Sequence, residues 1–415
     1  MVKTPSNAAA AGRRRILQAS LAAPLAGMGS HVRASGACMA QAPLALDRRR
    51  LDATLAAMVA QRRAAGVSAL VWQAGAERYF GAAGHADLDT QRPMARDTLA
   101  RIYSMTKPVA AVALMQLWEE GRFALDDPLS RHLPDFAEVR VRDAVGVDRP
   151  PRRPILVRDL LRHTAGLTYG MTERPADEAF RAADPLNTAT SLRDLGRRIA
   201  GLPLQFEPGA QWGYSTAVDV VAVLVEVLSG RPFEAQVRRR VLQPLGMRHT
   251  GWTLPPGGAA RLAHTYFHAE DGRVQRHPEP PPQPPSGGSG LVSSIDDYMR
   301  FARMLLAGGE LDGERILQAS TLRLMATDQL DPCITERHFL PEKGAMGFGL
   351  GFAVRVAPPR DAAENRGTVG EFFWDGMAST LFWVDPVHDL AAVFFTQKLP
   401  YDGTLHRDIR AAVYG

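Results

Sequence analysis

The chain has 415 residues, 46% apolar and 22% charged, which suffices for a large buried core. Its net charge of +5 lies within residues 1–40, which hold five basic and no acidic residues; the remainder has 44 of each. This balance argues against a nucleic-acid-binding surface. The chain has two cysteines, Cys38 and Cys333, too few for a cysteine-based metal site. Cys38 lies in the N-terminal segment 1–40; if that segment is removed as a leader, Cys333 is alone and a disulfide framework is excluded.

Residues 1–40 resemble an export signal with a disordered leader. A triple arginine, Arg13 to Arg15, precedes a mild apolar stretch that ends near Gly29, as in a twin-arginine signal. The stretch is too short, and too rich in glycine, proline and serine, for a stable membrane span. We expect export to the periplasm; without a functional leader the protein would stay in the cytoplasm.

The elements predicted along the rest of the chain are a helix and three strands, then mainly helices, then mainly strands. The first group comprises a helix at 47–65 and strands at 67–73, 78–83 and 99–103. The helices of the middle are at 157–162, 191–200, 217–229 and 233–241. The last group has a helix from Ser294 to about Ala307, strands at 347–356, 370–374, 379–384 and 390–396, and a closing helix at 405–413.

Strands at both ends of the chain predict an α+β fold with one sheet built from both ends. We therefore expect an α/β domain from residues 45–120 and 286–415, with a mostly helical lobe, 121–285, inserted into it. The sequence carries no signal for an oligomeric state.

Ser104 and Lys107 form the pattern Ser-x-x-Lys before a helix predicted to end near Gly121. Residues three apart share a helix face, so the hydroxyl would meet an amine and the positive end of the helix dipole. The chain has only four lysines among 49 basic residues, and a lysine, unlike an arginine, can lose its proton when buried. The pattern alone also fits a helix-capping serine followed by a surface lysine.

Tyr214 and the segment from Trp374 to Met377 are further candidates for the site. Tyr214 precedes a predicted helix, and next to an ammonium a phenol would have a lowered pKa and could shuttle protons. The segment follows a predicted strand, and its Gly376 allows close backbone approach. Taken singly, these residues also fit a loop aromatic and a strand-end turn.

Together these motifs resemble the serine β-lactamase and penicillin-binding-protein superfamily, and most closely the β-lactamase-like (family VIII) carboxylesterases and related transesterases. The resemblance spans about residues 50–410. Its motifs are RIYSMTKP (101–108), LLRHTAGL (160–167), YSTAVDV (214–220), GGSGLV (287–292), FWDG (373–376) and FWVDP (382–386). It implies a β-lactamase/transpeptidase-like fold with a mainly antiparallel sheet flanked by helices.

The resemblance also implies the site residues and the reaction. Ser104 would be the acylated nucleophile, and Lys107 with Tyr214 the general base system, either of which could take the first proton. The backbone amides of Ser104 and Met377 would form the oxyanion hole. The residues expected to contact a small-molecule ester are Trp374, Asp375, Gly376 and Thr216. No metal or other cofactor is expected.

Two departures from the family pattern bear on the substrate. Trp374 and Asp375 stand where β-lactamases and D,D-peptidases usually have Lys or His followed by Thr, and Thr216 stands where they commonly have Asn. Both changes favour neutral esters, although Arg407 or Arg410 could reach a substrate carboxylate. The sequence thus predicts a serine carboxylesterase. The alternatives are a D,D-peptidase or β-lactamase, an acyltransferase, or a non-catalytic peptidoglycan- or acyl-binding protein.

Two other serine-enzyme patterns are weaker. Residues 213–217 approach the G-x-S-x-G elbow of α/β-hydrolases, but Ala217 replaces its last glycine. His163 invites a Ser-His-Asp assignment, although within the resemblance its segment is structural, and we expect it to pack rather than to catalyse.

Overall fold

The computed structural model describes residues 44–278 and 283–415; the predicted export signal lies outside the described residues. The α-helices in the described part are Arg48–Ala60 (α1), Thr106–Glu119 (α2), Val157–Leu161 (α3), Pro175–Ala183 (α4), Pro185–Thr188 (α5), Leu192–Ala200 (α6), Ala217–Ser229 (α7), Phe233–Val237 (α8), Ile295–Leu306 (α9), Ala319–Met325 (α10) and Gly403–Tyr414 (α11). None of these helices combines the length and apolarity needed to cross a bilayer.

The strands of the described part come mainly from the two ends of the chain. They are Gly66–Gln73 (β1), Ala76–Asp87 (β2), Arg92–Pro93 (β3), Leu99–Arg101 (β4), Val141–Arg142 (β5), Asp148–Arg149 (β6), Tyr266–His268 (β7), Val274–Arg276 (β8), Val292–Ser294 (β9), Glu310–Leu311 (β10), Glu314–Arg315 (β11), Met346–Phe348 (β12), Ala353–Arg355 (β13), Phe372–Asp375 (β14), Leu381–Asp385 (β15), Leu390–Thr396 (β16) and Lys398–Leu399 (β17).

The main sheet has eight strands in the order β12-β13-β14-β15-β16-β1-β2-β3. Its neighbouring strands are antiparallel, and the two ends of the chain meet where β1 pairs with β16, with Val67 opposite Thr396. The α+β class and the antiparallel sheet predicted from the sequence are confirmed. The domain boundaries at residues 120 and 286 stay a prediction.

Helices cover both faces of this sheet, as two consecutive residues of β15 demonstrate. The Phe382 ring lies 5.1 Å from that of Tyr298 in α9, whereas Trp383 Nε1 donates to Tyr414 Oη of α11 at 3.2 Å. Successive side chains of a strand point to opposite faces. The core of the sheet is therefore enclosed between α9 and α11.

The helix that carries the candidate lysine is buried on nearly every side. Residues 106–117 of α2 are all buried, and α2 packs against α7, as expected of a helix that is apolar all round. Gly230 ends α7 with φ +65°, the left-handed conformation in which a glycine commonly ends a helix. This buried helix gives the site a rigid base.

Two predicted elements differ from the structure. Residues 347–356 were expected to form one strand, but they form β12 and β13 joined by a tight turn in which Gly351 has φ +98°, a conformation that L side chains rarely adopt. The helix expected at 233–241 is α8 followed by a wider π-type turn over Arg238–Leu242.

Candidate active site

Ser104 lies at the start of α2, where the chain turns sharply out of β4. A single 3₁₀ turn, Tyr103–Met105, joins the two elements. Tyr103 has φ +45°, a strained value for a residue with a side chain, and such strain often occurs at functional sites. The turn presents Ser104 to the cavity and sets its hydroxyl at the positive end of α2.

Lys107 lies one turn further on the same face, as its spacing predicted. Its Nζ is 3.3 Å from Ser104 Oγ and donates to the carbonyl oxygen of Gly288 at 2.7 Å. The side chain is buried, and burial lowers the pKa of Lys107 to about 8, although the carboxylates of Asp219 and Asp375 oppose that shift. About a tenth of this amine is therefore neutral at pH 7.

Two tyrosine rings enclose the amine. The Lys107 Nζ lies 4.7 Å from the ring centroid of Tyr214 and 5.0 Å from that of Tyr169, distances at which a ring face attracts a cation. Tyr169 donates to Asp219 Oδ2 at 2.9 Å, which fixes the orientation of its ring. The two rings thus pack around the amine beside Ser104.

Tyr214 comes from the loop just before α7. Burial raises its pKa well above the ordinary value, and the neighbouring Ser104 and Trp374 only partly oppose the effect. The pKa lowering predicted from the sequence is wrong in direction, because desolvation of the buried phenol is the largest effect on its pKa. Tyr214 is thus a protonated phenol at neutral pH, and its hydroxyl is buried without a hydrogen-bond partner in the described part of the chain.

The end of β14 approaches the start of α2 closely at Gly376. A Cβ on this glycine would lie 2.3 Å from Thr380 Oγ1 and 2.6 Å from the carbonyl oxygen of Ile102, so a side chain would push the two segments apart. The close approach allows Met377, just past the strand, to line the same cavity as Ser104. The two residues expected to supply oxyanion amides are therefore brought together.

The cavity has a volume of about 860 Å³. Its lining includes the predicted Ser104, Tyr214, Trp374, Asp375, Gly376 and Met377. Tyr169, Phe339 and Met171 add to an apolar wall, while Glu342 and Arg407 add polar groups. The described residues contain no cluster of three or more histidine, cysteine or acidic side chains that could hold a metal ion.

The cavity lining does not include Thr216, Arg410 or His163. Thr216 is not at the cavity: it is wholly buried, and its hydroxyl donates to the carbonyl oxygen of Thr168 at 3.2 Å, which corrects its expected substrate contact. Arg410 is buried and donates to Glu371 Oε1 at 2.9 Å, so it cannot meet a substrate carboxylate. His163 packs behind Tyr214 with ring centroids 5.0 Å apart.

The sequence reading missed Lys343, which lines the cavity. Lys343 is buried, and its Nζ donates to Asp375 Oδ2 and, at 3.0 Å, to Tyr401 Oη. A cation is therefore present near Trp374, supplied by a distant segment. The rarity of lysine that drew attention to Lys107 applies equally to Lys343 and was the signal that could have found it.

The chain matches one family model and several known proteins over most of its length. The family model for Beta-lactamase matches residues 51–414. Protein Rv1367c of Mycobacterium tuberculosis is 38% identical over 372 residues, covering 84% of this chain and 89% of that protein. Esterase EstB of Burkholderia gladioli is 32% identical over 394 residues, covering 88% of this chain and 94% of the esterase.

A solved structure gives the same result. EstCE1, described as a hydrolase with promiscuous acyltransferase activity, superposes with a TM-score of 0.75 at 29% identity, covering 88% of this chain and 98% of its own. These matches confirm the family resemblance and the β-lactamase/transpeptidase-like fold predicted from the sequence.

Proposed function

This chain belongs to the beta-lactamase family, and we propose that it is a serine hydrolase that cleaves carboxylic esters through an acyl-enzyme on Ser104. One observation carries the proposal: a buried amine, Lys107, with a pKa lowered to about 8, lies 3.3 Å from the Ser104 hydroxyl at a helix N-terminus. Its similarity to esterase EstB supports the choice of esters.

In acylation, neutral Lys107 accepts the proton of Ser104 while Oγ attacks the ester carbonyl. The negative charge on the carbonyl oxygen is stabilised by the amides of Ser104 and Met377. Tyr214, whose pKa is raised, gives its proton to the departing alkoxide, and the proton held by Lys107 restores the phenol. The two opposite pKa shifts thus favour Lys107 as the base and Tyr214 as the acid.

In deacylation, the roles run in reverse. A water molecule gives a proton to the base system as it attacks the acyl carbonyl, and the bond between the acyl group and Ser104 Oγ breaks with return of a proton to Oγ. The products are the carboxylic acid and the free enzyme.

The first test is release of p-nitrophenol from short acyl esters. We expect Ser104→Ala to lower kcat/KM by at least about a thousandfold. Ser289→Ala is the matched control, because Ser289 lines the same cavity and loses the same hydroxyl. A fluorophosphonate should label the wild-type protein once, on the peptide that contains Ser104. Unchanged turnover in Ser104→Ala would refute the proposal.

The second test concerns the base. Lys107→Arg keeps the charge but removes a group that can become neutral, so we expect a loss of about 100-fold or more in kcat/KM. Lys398→Arg is the control, since Lys398 is also buried but forms an ion pair with Asp402 at 3.3 Å. Equal losses in the two variants would mean that Lys107 acts only through packing.

Acyl transfer is a second candidate, favoured by the likeness to EstCE1 and its described acyltransferase activity. It uses the same acyl-enzyme, with an alcohol in place of water as the acceptor. With 1-butanol present, a transferase forms the butyl ester at the expense of the acid, whereas a strict hydrolase forms only the acid. Nitrocefin turnover in parallel tests the β-lactamase alternative.

A further inference from the structure

A buried ion pair forms part of the cavity wall. Lys343 is 6% exposed and Asp375 is 7% exposed, and both line the cavity with Ser104. The ammonium donates to the carboxylate of Asp375, and the Tyr401 hydroxyl lies 3.0 Å from both Lys343 Nζ and Asp375 Oδ2. The three groups satisfy one another, so this part of the wall carries no net charge.

The ammonium keeps its charge because of this arrangement. Burial alone would lower the pKa of Lys343, but the Asp375 carboxylate and Tyr401 outweigh burial and raise it above its ordinary value. His406 also faces the pair, and burial lowers its pKa to about 4, so it stays neutral at physiological pH. The ammonium of Lys343 therefore keeps its charge through neutral pH.

The other charged groups that line the cavity are either paired with protein groups or exposed. Glu364 accepts hydrogen bonds from Arg355 and Arg360, and Arg407 lies 3.5 Å from Asp408. Glu342 is exposed. The buried cation that faces the cavity from the described part of the chain is thus Lys343, and its carboxylate partner is already in place.

We propose that Asp375 is a specificity-determining residue: by neutralising Lys343 it restricts the site to esters whose acyl group is uncharged. The inference rests on the proposed esterase function and names its substrate class. A substrate carboxylate near the pair would lose its hydration without finding an unpaired cation, and burying an unpaired charge is costly. Without the charge of Asp375, the same ammonium would attract that carboxylate.

The test uses ester pairs that differ in one charge. Each pair is the p-nitrophenyl ester of adipic, pimelic or suberic acid with the far carboxyl either free or methylated. We define the charge ratio as kcat/KM for the methylated ester divided by kcat/KM for the free acid. We expect a charge ratio of about 100 in the wild type for at least one chain length, because the free carboxylate loses its hydration at the wall and gains no unpaired cation in return.

Asp375→Asn should lower the charge ratio at least about tenfold, because Lys343 is then available to the substrate. In the double variant Asp375→Asn/Lys343→Met this decrease of the charge ratio should disappear. Glu342→Gln is the control: it removes a negative charge from the same cavity without freeing the ammonium, so its charge ratio should stay within about twofold of the wild type. The ratio cancels effects common to both esters.

The charge ratio of Lys343→Met tests the inference even if the Asp375 variant does not fold. It leaves the carboxylate uncompensated, so the charge ratio should rise at least about threefold. Three results would each overturn the inference. They are a charge ratio that falls in Lys343→Met, a wild-type charge ratio near one at every chain length, and a decrease of the ratio in Asp375→Asn that persists in the double variant. If the wild type cleaves neither ester, the proposed function itself fails.

Discussion

The lowered pKa of Lys107 predicts a specific pH dependence of acylation. With a pKa of about 8 the amine is about 9% neutral at pH 7, whereas a lysine at the ordinary value of 10.5 would be about 0.03% neutral. Burial in the aromatic enclosure therefore increases the population of the base form by about 300-fold at pH 7. In free-energy terms this shift corresponds to about 3 kcal/mol.

The perturbation is pH itself, and the assay is kcat/KM for an ester without ionisable groups, measured from pH 5.5 to 9.5 at constant ionic strength. The base must be neutral, so activity is lost as pH falls through the pKa. We expect log kcat/KM to rise with a slope of one and to level off above about pH 8. Tyr214 should cause no decline on the alkaline side of this range, because its raised pKa keeps it protonated.

Lys398→Arg serves as the control and should retain the break near pH 8. A break below pH 6, or a steady rise to pH 9.5 without levelling, would refute the assignment of Lys107 as the base. Residual activity in Lys107→Arg should lack the break, since a guanidinium stays charged throughout this range.

Three further predictions concern the backbone, the ion pairs and stability. Gly376→Ala should lower kcat about 100-fold because its Cβ would force the end of β14 away from Ile102. The control Gly201→Ala should leave kcat unchanged, because its Cβ would meet nothing closer than 3.6 Å. Equal kcat values in the two variants would refute the strand geometry. Glu371→Gln should reduce the free energy of unfolding in urea by about 3–5 kcal/mol, because Glu371 is wholly buried and binds two buried arginines. The exposed control Glu270→Gln should change the free energy of unfolding by less than about 0.5 kcal/mol. Lys107→Met should be inactive but should raise the thermal unfolding midpoint at pH 7. The pKa of Lys107 is lower in the folded state than in the unfolded state, so the protonated amine destabilises the fold below pH 8. An unchanged or lower midpoint would contradict this.

Local patterns predicted the parts of the site that lie close together in the chain. Ser104 and Lys107 are one helical turn apart, so their contact follows from helix geometry alone. The strand predicted at residues 390–396 has the observed bounds of β16, because a continuous run of apolar residues is typical of a buried strand. Such features need no knowledge of tertiary packing.

The parts that the sequence did not predict depend on contacts between distant segments. Lys343 meets Asp375 across 32 positions, and Tyr169 meets Asp219 across 50; no spacing rule connects such residues. The pKa of Tyr214 was predicted in the wrong direction because a sequence indicates neighbouring charge but not the depth of burial. Thr216 was assigned by its place in a motif, whereas its environment was decided by the packing of α7.

The distribution of lysine has a consequence for surface chemistry. In the described part of the chain the three lysines, Lys107, Lys343 and Lys398, are each at most 9% exposed, and arginine supplies the other basic side chains. Guanidinium groups resist reaction with electrophiles that readily modify free amines. Amine-directed dyes or cross-linkers should therefore couple poorly to the described part of the chain.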